Sequence, residues 1–399
     1  MLNTKKTFSL KECFNDCQQK IGVYFCDKEI VQGYAISKLD ERLNISKAEK
    51  VYNVNGKIIV YCQDGYLRIK EKGVYKKFTP VPFPVAPTVF ETFNNGKKCV
   101  AIKKADGVIL VSDRTDYYKT ADGDVYYSFF DLNFIAKGNV LKIADAYGYC
   151  GTQLNDDMRI IVLSEDFGEI VALSSYKEKL IIVCKKRILT LSFEKDGLYS
   201  LDSLEGNEIN VDKKSVKKIG DKIFFVSKDN LFAIGDKISK CESMLNKKGF
   251  IVYDNAFSFN GCYVLPIQKD GKRWLYLYDT ENGCDYLLKN GNLAFCDGGF
   301  AIDRENGFSY QLQDGVNGYC RIKSKTTNFN ENGKKHLTLL TAYSEYPLTV
   351  KIEGDFGEKE YQFLSGEIHL NCNLYSGYYS FTLESETKMK ISDIKIVIG

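Results

Sequence analysis

Two histidines, His336 and His369, limit the acid–base and nucleophilic chemistry open to this chain of 399 residues. A Ser-His-Asp or Cys-His arrangement needs an imidazole beside a nucleophile, and no GxSxG elbow supplies one. His369 alternates with Ile368 and Leu370, which points its ring outward from a strand. No GxxxxGKS/T or GxGxxG loop is present to cradle phosphates. Carboxylates are abundant, 52 Asp and Glu, so a pair at glycosidase separation remains compatible with the chain. The single Trp274 argues against a sugar-stacking cleft, although 27 Tyr could serve in its place.

Metal chemistry has equally little to build on. Thirteen cysteines are spread along the chain without a CxxC pair, and Cys13, Cys17 and Cys26 lack a fourth ligand or a nearby His. Cys62 and Cys184 lie within apolar runs, where a thiol behaves as a small hydrophobe, and the set as a whole fits a reducing cytosol. Asn328, Asn330 and Asn332 before Gly333 imitate the start of a calcium loop, but the twelfth position is Leu339 where a bidentate carboxylate is required. Asp122-Gly123-Asp124 reads as a turn. No catalytic residue, metal or cofactor is therefore expected. The 55 basic and 52 acidic residues leave a net charge of +3, which makes no case for a nucleic-acid or membrane field. The start MLNTKKTFSLKECFND lacks the apolar stretch of an export signal, and no later run is long enough to span a bilayer.

The elements that would position any site follow a cadence of short β-branched runs separated by turns. It is clearest from Glu169 to Leu191 (EIVALSSYKEKLIIVCKKRILTL), in DKIFFVSKDNLFAIGD and in GKIIVYCQDGYLRIKEKG, where Asp64-Gly65 is a hairpin signal. The apolar runs centre near Ile58, Val100, Leu141, Leu180, Ile223, Tyr263 and Ala294, about forty residues apart. That period predicts an all-β chain, a degenerate β-propeller of about six to seven blades. After Cys320, about seven alternating strands predict a small C-terminal antiparallel β-sandwich. Three segments are expected: 1–50 with a short helix over Ser9–Gln19 and some strands, the propeller over 51–318, and the sandwich over 319–399. Residues Lys38–Lys50 read as helix or loop.

Two interruptions are candidates for contact surfaces. Thr79–Thr88 holds four of the six prolines, which cannot donate to a ladder, so it must be a connector or an edge crossing. Asp113–Asn133 is polar and aromatic and reads as a loop leaving a blade. The interaction candidates are Pro82, Phe83 and Pro84 in the first stretch, with Tyr117, Tyr118, Asp122, Asp124 and Tyr126 in the second.

Three further stretches carry a resemblance: VYYSFFDLNFIAKGNVLKIADAYG, IVALSSYKEKLIIVCKKRILTLSF and SVKKIGDKIFFVSKDNLFAIGDKISK. Through Ser128, Asp131, Asn133 and Phe134, then Leu180–Val183, Ile188 and Leu191, then Ile223–Ser227, Leu231 and Gly235, they resemble blades of the tail hub, tail stabilisation or nozzle proteins of tailed bacteriophages. RIKSKTTNFNENGKKHLTLL resembles that family's passage from propeller to terminal sandwich. The likeness runs from about Val51 to Gly399. It implies a non-enzymatic virion component made in the bacterial cytoplasm, forming a ring, commonly sixfold, at the tail or head-to-tail junction. Its implied partners are copies of itself as a hexamer, neighbouring tail, adaptor or portal proteins, and genomic DNA passing without sequence-specific contact. The alternatives are a carbohydrate-binding or glycoside-cleaving propeller and a cytosolic protein-interaction scaffold.

Overall fold

A computed structural model describes residues 6–9, 14, 19–26, 29–43, 47–94, 97–104, 108–111, 117–119, 123–130, 132–144, 159–193, 199–204, 209–246, 249–315, 318–329 and 333–399. Regular structure among them is all β, apart from the single 3₁₀ turns Glu165–Phe167 and Lys213–Ser215 and the helical backbone of buried Phe14. The helix expected over Ser9–Gln19 lies mostly outside the described residues; Ser9 itself ends the strand Lys6–Ser9. No helix among the described residues is long and apolar enough to cross a membrane.

The chain divides into two compact units that are discontinuous in sequence. One comprises Lys38–Arg273 with Asn290–Gln311; the other comprises Met1–Ser37, Trp274–Lys289 and Leu312–Gly399.

In the first unit each blade is an antiparallel meander. The first reads Ala48–Val54, Lys57–Cys62, Leu67–Glu71 and Val74–Lys77, each strand beside the next. Four more sheets of the same order begin at Thr88–Asn94, Val125–Phe129, Ile170–Tyr176 and Lys217–Ile219. Two residues with positive φ, Lys228 and Asp229, make the turn between Lys222–Ser227 and Asn230–Ile234, the backbone twist that matches a two-residue hairpin. A sixth sheet, Leu293–Phe295, Phe300–Asp303 and Phe308–Gln313, takes its fourth strand from far earlier in the chain, Ala35–Arg42. Arg42 Nε donates to the Asn306 carbonyl at 2.9 Å, the Leu43 amide donates to the Gly307 carbonyl at 2.8 Å, and Lys38 Nζ lies 3.4 Å over the Phe308 ring. Lys38–Arg42 is thus strand rather than helix or loop. Its alternating charges belong to an outer strand with one wet face.

The first strands of successive sheets lie side by side. Ala48–Val54 neighbours Thr88–Asn94, which neighbours Val125–Phe129, then Ile170–Tyr176, and Lys217–Ile219 neighbours Phe257–Phe259. Phe257 stacks on Phe295 at 5.3 Å, and Leu293–Phe295 returns to Ala48–Val54. Meanders arranged radially around a common axis constitute a β-propeller. Second strands such as Lys179–Cys184 are buried on both faces because a blade lies on either side, so they are apolar without alternation.

In the second unit two sheets share one core. One contains Val23–Cys26, Glu29–Gln32, Lys390–Ile398, Lys335–Ser344 and Gly366–Ser376; the other contains Gln19–Ile21, Cys320–Lys323, Ser380–Ser385, Leu348–Gly354 and Gly357–Phe363. Val23, Ile30, Leu340 and Ile396 from the first meet Ile322, Val350 and Phe381 from the second. His369 is exposed on the outer face, and His336 stacks on Tyr375 at 4.2 Å.

One ion pair anchors the first blade. Arg68 is fully buried, and its guanidinium holds the Asp64 carboxylate of the Asp64-Gly65 turn at 2.8 and 2.5 Å. The hydrogen bonds from Arg68 hold the Asp64 carboxyl below its ordinary value of 3.8. Asp64→Ala strands a buried cation and should destabilise the protein by about 3 kcal/mol in urea unfolding at neutral pH, whereas Asp64→Ala with Arg68→Met should recover most of that loss. A carboxyl whose folded pKa is depressed stabilises above its ordinary value and loses that effect as pH falls through the depressed one. The gap between the parent and Asp64→Ala should therefore close on acidification below the ordinary aspartate range.

Candidate functional site

Asp113–Asn133 does not form the loop expected of it. Tyr117–Lys119 is a strand paired with Val108–Val111, and Val125–Phe129 is the first strand of the third sheet; residues 113–116, 120–122 and 131 lie outside the described residues. The reason is local: Val125, Tyr126, Tyr127 and Phe129 favour extended backbone.

Tyr117 and Tyr118 pair with Leu110 and Ile109, while Asp122 lies outside the described residues. Asp124 is exposed, and its amide donates to the Ala136 carbonyl at 2.7 Å. Tyr126 stacks on Phe90 at 4.5 Å and carries Lys103 Nζ 5.4 Å above its ring. Lys103 also donates to the carbonyl of Gly123. Gly123 is buried, and a Cβ there would lie 2.3 Å from Ile135, so only glycine fits.

Thr79–Thr88 forms a connector between the first and second sheets. Pro82 and Pro84 are exposed, whereas Phe83 is buried at 5% exposure and packs into the first blade. The segment is tied down by Tyr61, whose hydroxyl donates to the Phe83 carbonyl at 3.0 Å, and by Tyr52, which donates to the Pro87 carbonyl at 2.6 Å. Gly65 takes φ 82° beneath it, and a Cβ would stand 2.8 Å from the Phe83 carbonyl oxygen. What remains outward is apolar: Val81 is 42% and Val85 63% exposed. With Lys103 and Lys104 the segment lines a cavity of about 430 Å³. Lys103 therefore links the cavity lined by Pro82 and Pro84 to Gly123 and Tyr126. Phe83 supports this surface from beneath.

The axis carries a polar network that periodicity did not disclose. Asp297 follows the strand Leu293–Phe295. One carboxylate oxygen accepts from the Ser258 amide at 2.8 Å and its hydroxyl at 3.0 Å; the other accepts from Lys217 Nζ at 2.6 Å. The Asp297 carbonyl accepts from Asn53 Nδ2 at 2.7 Å. First strands from four blades converge on this residue. Elsewhere Ser175 Oγ accepts from Tyr127 at 2.9 Å and from Lys218 at 2.9 Å, and Asn133 Oδ1 accepts from Ser128 at 2.6 Å and Thr92 at 3.3 Å. The sequence signal was present but weak: one Ser, Thr or Asn in a first strand or at the start of a second.

Among the described residues no group of three or more His, Cys, Asp or Glu is gathered to hold a metal. Nine cysteines among the described residues form no disulfide and most of them are buried, and burial pushes the Cys184 and Cys320 thiols up to about 12 and Cys372 to about 11. Thiols held protonated in this way are poor nucleophiles.

No protein-family model and no curated protein sequence matches the chain. Among solved structures it is similar to BamB from Moraxella catarrhalis, with 11% identity over 78% of this chain and 97% of that one at a TM-score of 0.43. It is similar to virginiamycin B lyase from Staphylococcus aureus, with 12% identity over 70% and 99% at 0.49. A third is the β-propeller domain of Cps50 (Swd1) from Myceliophteria thermophila, with 9% identity over 69% and 99% at 0.47.

Asp297→Ala removes a carboxylate that takes hydrogen bonds from two other blades, through Ser258 and Lys217, and leaves the carbonyl that Asn53 reaches. Charged hydrogen bonds contribute about 1.5–3 kcal/mol each when desolvated, and Asp297 is about one-third exposed, so a loss of about 2–3 kcal/mol is expected. Urea unfolding of Asp297→Ala, Lys217→Met and the double variant should give strongly non-additive losses, with the double variant close to Asp297→Ala alone.

Proposed function

We propose that the protein is a non-enzymatic structural component of a tailed-phage virion, a seven-bladed propeller with a β-sandwich that joins a ring, commonly sixfold, at the tail or head-to-tail junction. The blade count adds the hairpin beginning at Phe257–Phe259 to the six sheets described above, and the sandwich is the pair of sheets sharing the Val23–Phe381 core. The sequence resemblance over Val51–Gly399 supplies the virion and ring; the geometry supports a role carried by surfaces.

One observation carries that surface reading. The Thr79–Thr88 segment holds Val81 and Val85 outward while Tyr52, Tyr61 and Gly65 fix its backbone from below. An apolar surface on a preorganised backbone loses little conformational entropy on association. Prolines add to this, since their φ is fixed and they offer no amide to a foreign strand. Closed rings use heterologous contacts, so this face would meet a different face of the next subunit or of an adjoining ring. A cytosolic interaction scaffold would use the same face with other partners.

Val85 is exposed, so Val85→Glu should leave thermal unfolding within about 0.5 kcal/mol of the parent. It should nevertheless reduce incorporation into sedimenting particles, read as the mass-spectrometric ratio of this chain to the major capsid protein. Normal incorporation would remove this segment from the contact surface. A parent chain that never co-sediments with particles would end the virion reading itself.

A further inference from the structure

A second cluster lies where three blades of the propeller each present a cation, with the carboxylate of Asp254 among them. Lys50 stands near the start of the first strand Ala48–Val54 and is half-buried. Among the described residues it forms no hydrogen bond or ion pair; its ammonium lies 5.2 Å from the Tyr52 ring. The residue before it, Glu49, gives its carbonyl to the Arg304 guanidinium, which reaches over from the turn after Phe300–Asp303. Arg304 also holds Asp254 at 2.8 Å. Beside Asp254, the Tyr253 carbonyl accepts from Lys214 Nζ at 3.1 Å. Lys214 also borders a cavity of about 590 Å³ that Lys50 and Arg304 do not line and whose wall carries Glu169, Asp212 and Asp229 as well as lysines.

The charged groups acting on Lys50 are therefore Lys214, Arg304 and Asp254, which with Lys50 makes three cations and one carboxylate; Asp212 accepts from the Lys214 amide at 2.9 Å. Asp254 is already engaged by Arg304. Glu49 is exposed, and the two nearby tyrosines, Tyr52 and Tyr253, have their ionisation pushed up by burial and stay neutral. Burial lowers the pKa of Lys50, Asp254 opposes that, and Lys214 and Arg304 reinforce it. A lysine disfavoured as a cation by its neighbours is a group whose protonation an incoming anion would restore.

We propose that Lys50, Lys214 and Arg304 form a binding site for a dianionic oxyanion, a phosphate or phosphomonoester group. The excess of two positive charges matches a dianion. Lys50 has donor capacity not used among the described residues, and Lys214 gives one of its three donors to a carbonyl. Arg304, held by Asp254 and the Glu49 carbonyl, would act as a fixed charge rather than as a bidentate clamp. Binding should draw a proton onto Lys50, because a nearby anion favours the charged form.

Isothermal titration of the full chain with inorganic phosphate, with a nucleoside monophosphate, and with chloride as control tests this, in two buffers of different ionisation heat. The expected result is one-to-one binding of at least one phosphate probe, with none for chloride. Proton uptake should grow as pH rises through the lowered range of Lys50. Lys50→Met should abolish the uptake and weaken binding about tenfold or more; the exposed Lys214→Met, which preserves the fold, should weaken it about tenfold while leaving proton uptake in place. Binding of the nucleotide alone would assign the site to the phosphoryl group of a larger ligand, and binding of both probes to phosphate itself. Absence of binding by either probe at millimolar concentration would overturn the proposal, as would binding that Lys214→Met leaves unchanged.

Discussion

The propeller depends on closing its ring of blades, and the Asp297 carboxylate is where that closure is chemically most explicit. A blade buries apolar residues on both faces, so it is stable only with a blade on each side. A linear stack leaves two wet apolar faces; a ring leaves none. The sheet that brings the ends together contains Leu293–Phe295 from late in the chain and Ala35–Arg42 from its beginning. Asp297, directly after that late strand, then collects Asn53, Lys217 and Ser258. The partners are 39, 80 and 244 residues away, so these bonds reward the loop closures the topology demands.

The same constraint explains how much of the fold was legible. Second strands lie between two blades and are apolar along their whole length, as in Leu180–Cys184, all fully buried. A forty-residue repeat of such runs is visible without an alignment. First strands border the axis and carry polar side chains aimed at one another, and two of them, Lys217–Ile219 and Phe257–Phe259, have only three residues. No window of periodicity can register so short an element. The charged strand Ala35–Arg42 is harder still, because only its partner across the closure makes it a strand; Lys38, Asp40 and Glu41 by themselves suggest solvent or a helix.

Sites divide along the same line. The Thr79–Thr88 segment could be singled out because proline acts locally, through φ and a missing amide, and that holds in any tertiary context. What could not be read is which side chains face out: Phe83, between two exposed prolines, turns inward to Tyr61 and the first blade. Tyr126 was found for a reason the structure revises, since an aromatic run such as VYYSF marks a first strand as readily as a loop; Asp124 stands just before that strand. The cationic cluster was invisible for a different reason. Lys50, Lys214 and Arg304 come from three separate blades, and a chain with 55 basic and 52 acidic residues hides any local excess in its total.

These two kinds of surface follow different physics. Along the axis, the described donors and acceptors largely satisfy one another: Ser175 takes Tyr127 and Lys218, Asn133 takes Ser128 and Thr92, and Asp297 takes Lys217 and Ser258. Groups so matched hold blades together and have little capacity left for a ligand. At Lys50 the matching fails, with three cations around one committed carboxylate, and at Val81 and Val85 apolar side chains are held in water on a backbone that cannot relax around them. Each is a local cost in a fold that elsewhere pairs its groups, and such costs persist most readily where a second molecule removes them. An anion would relieve the first and an apolar partner the second.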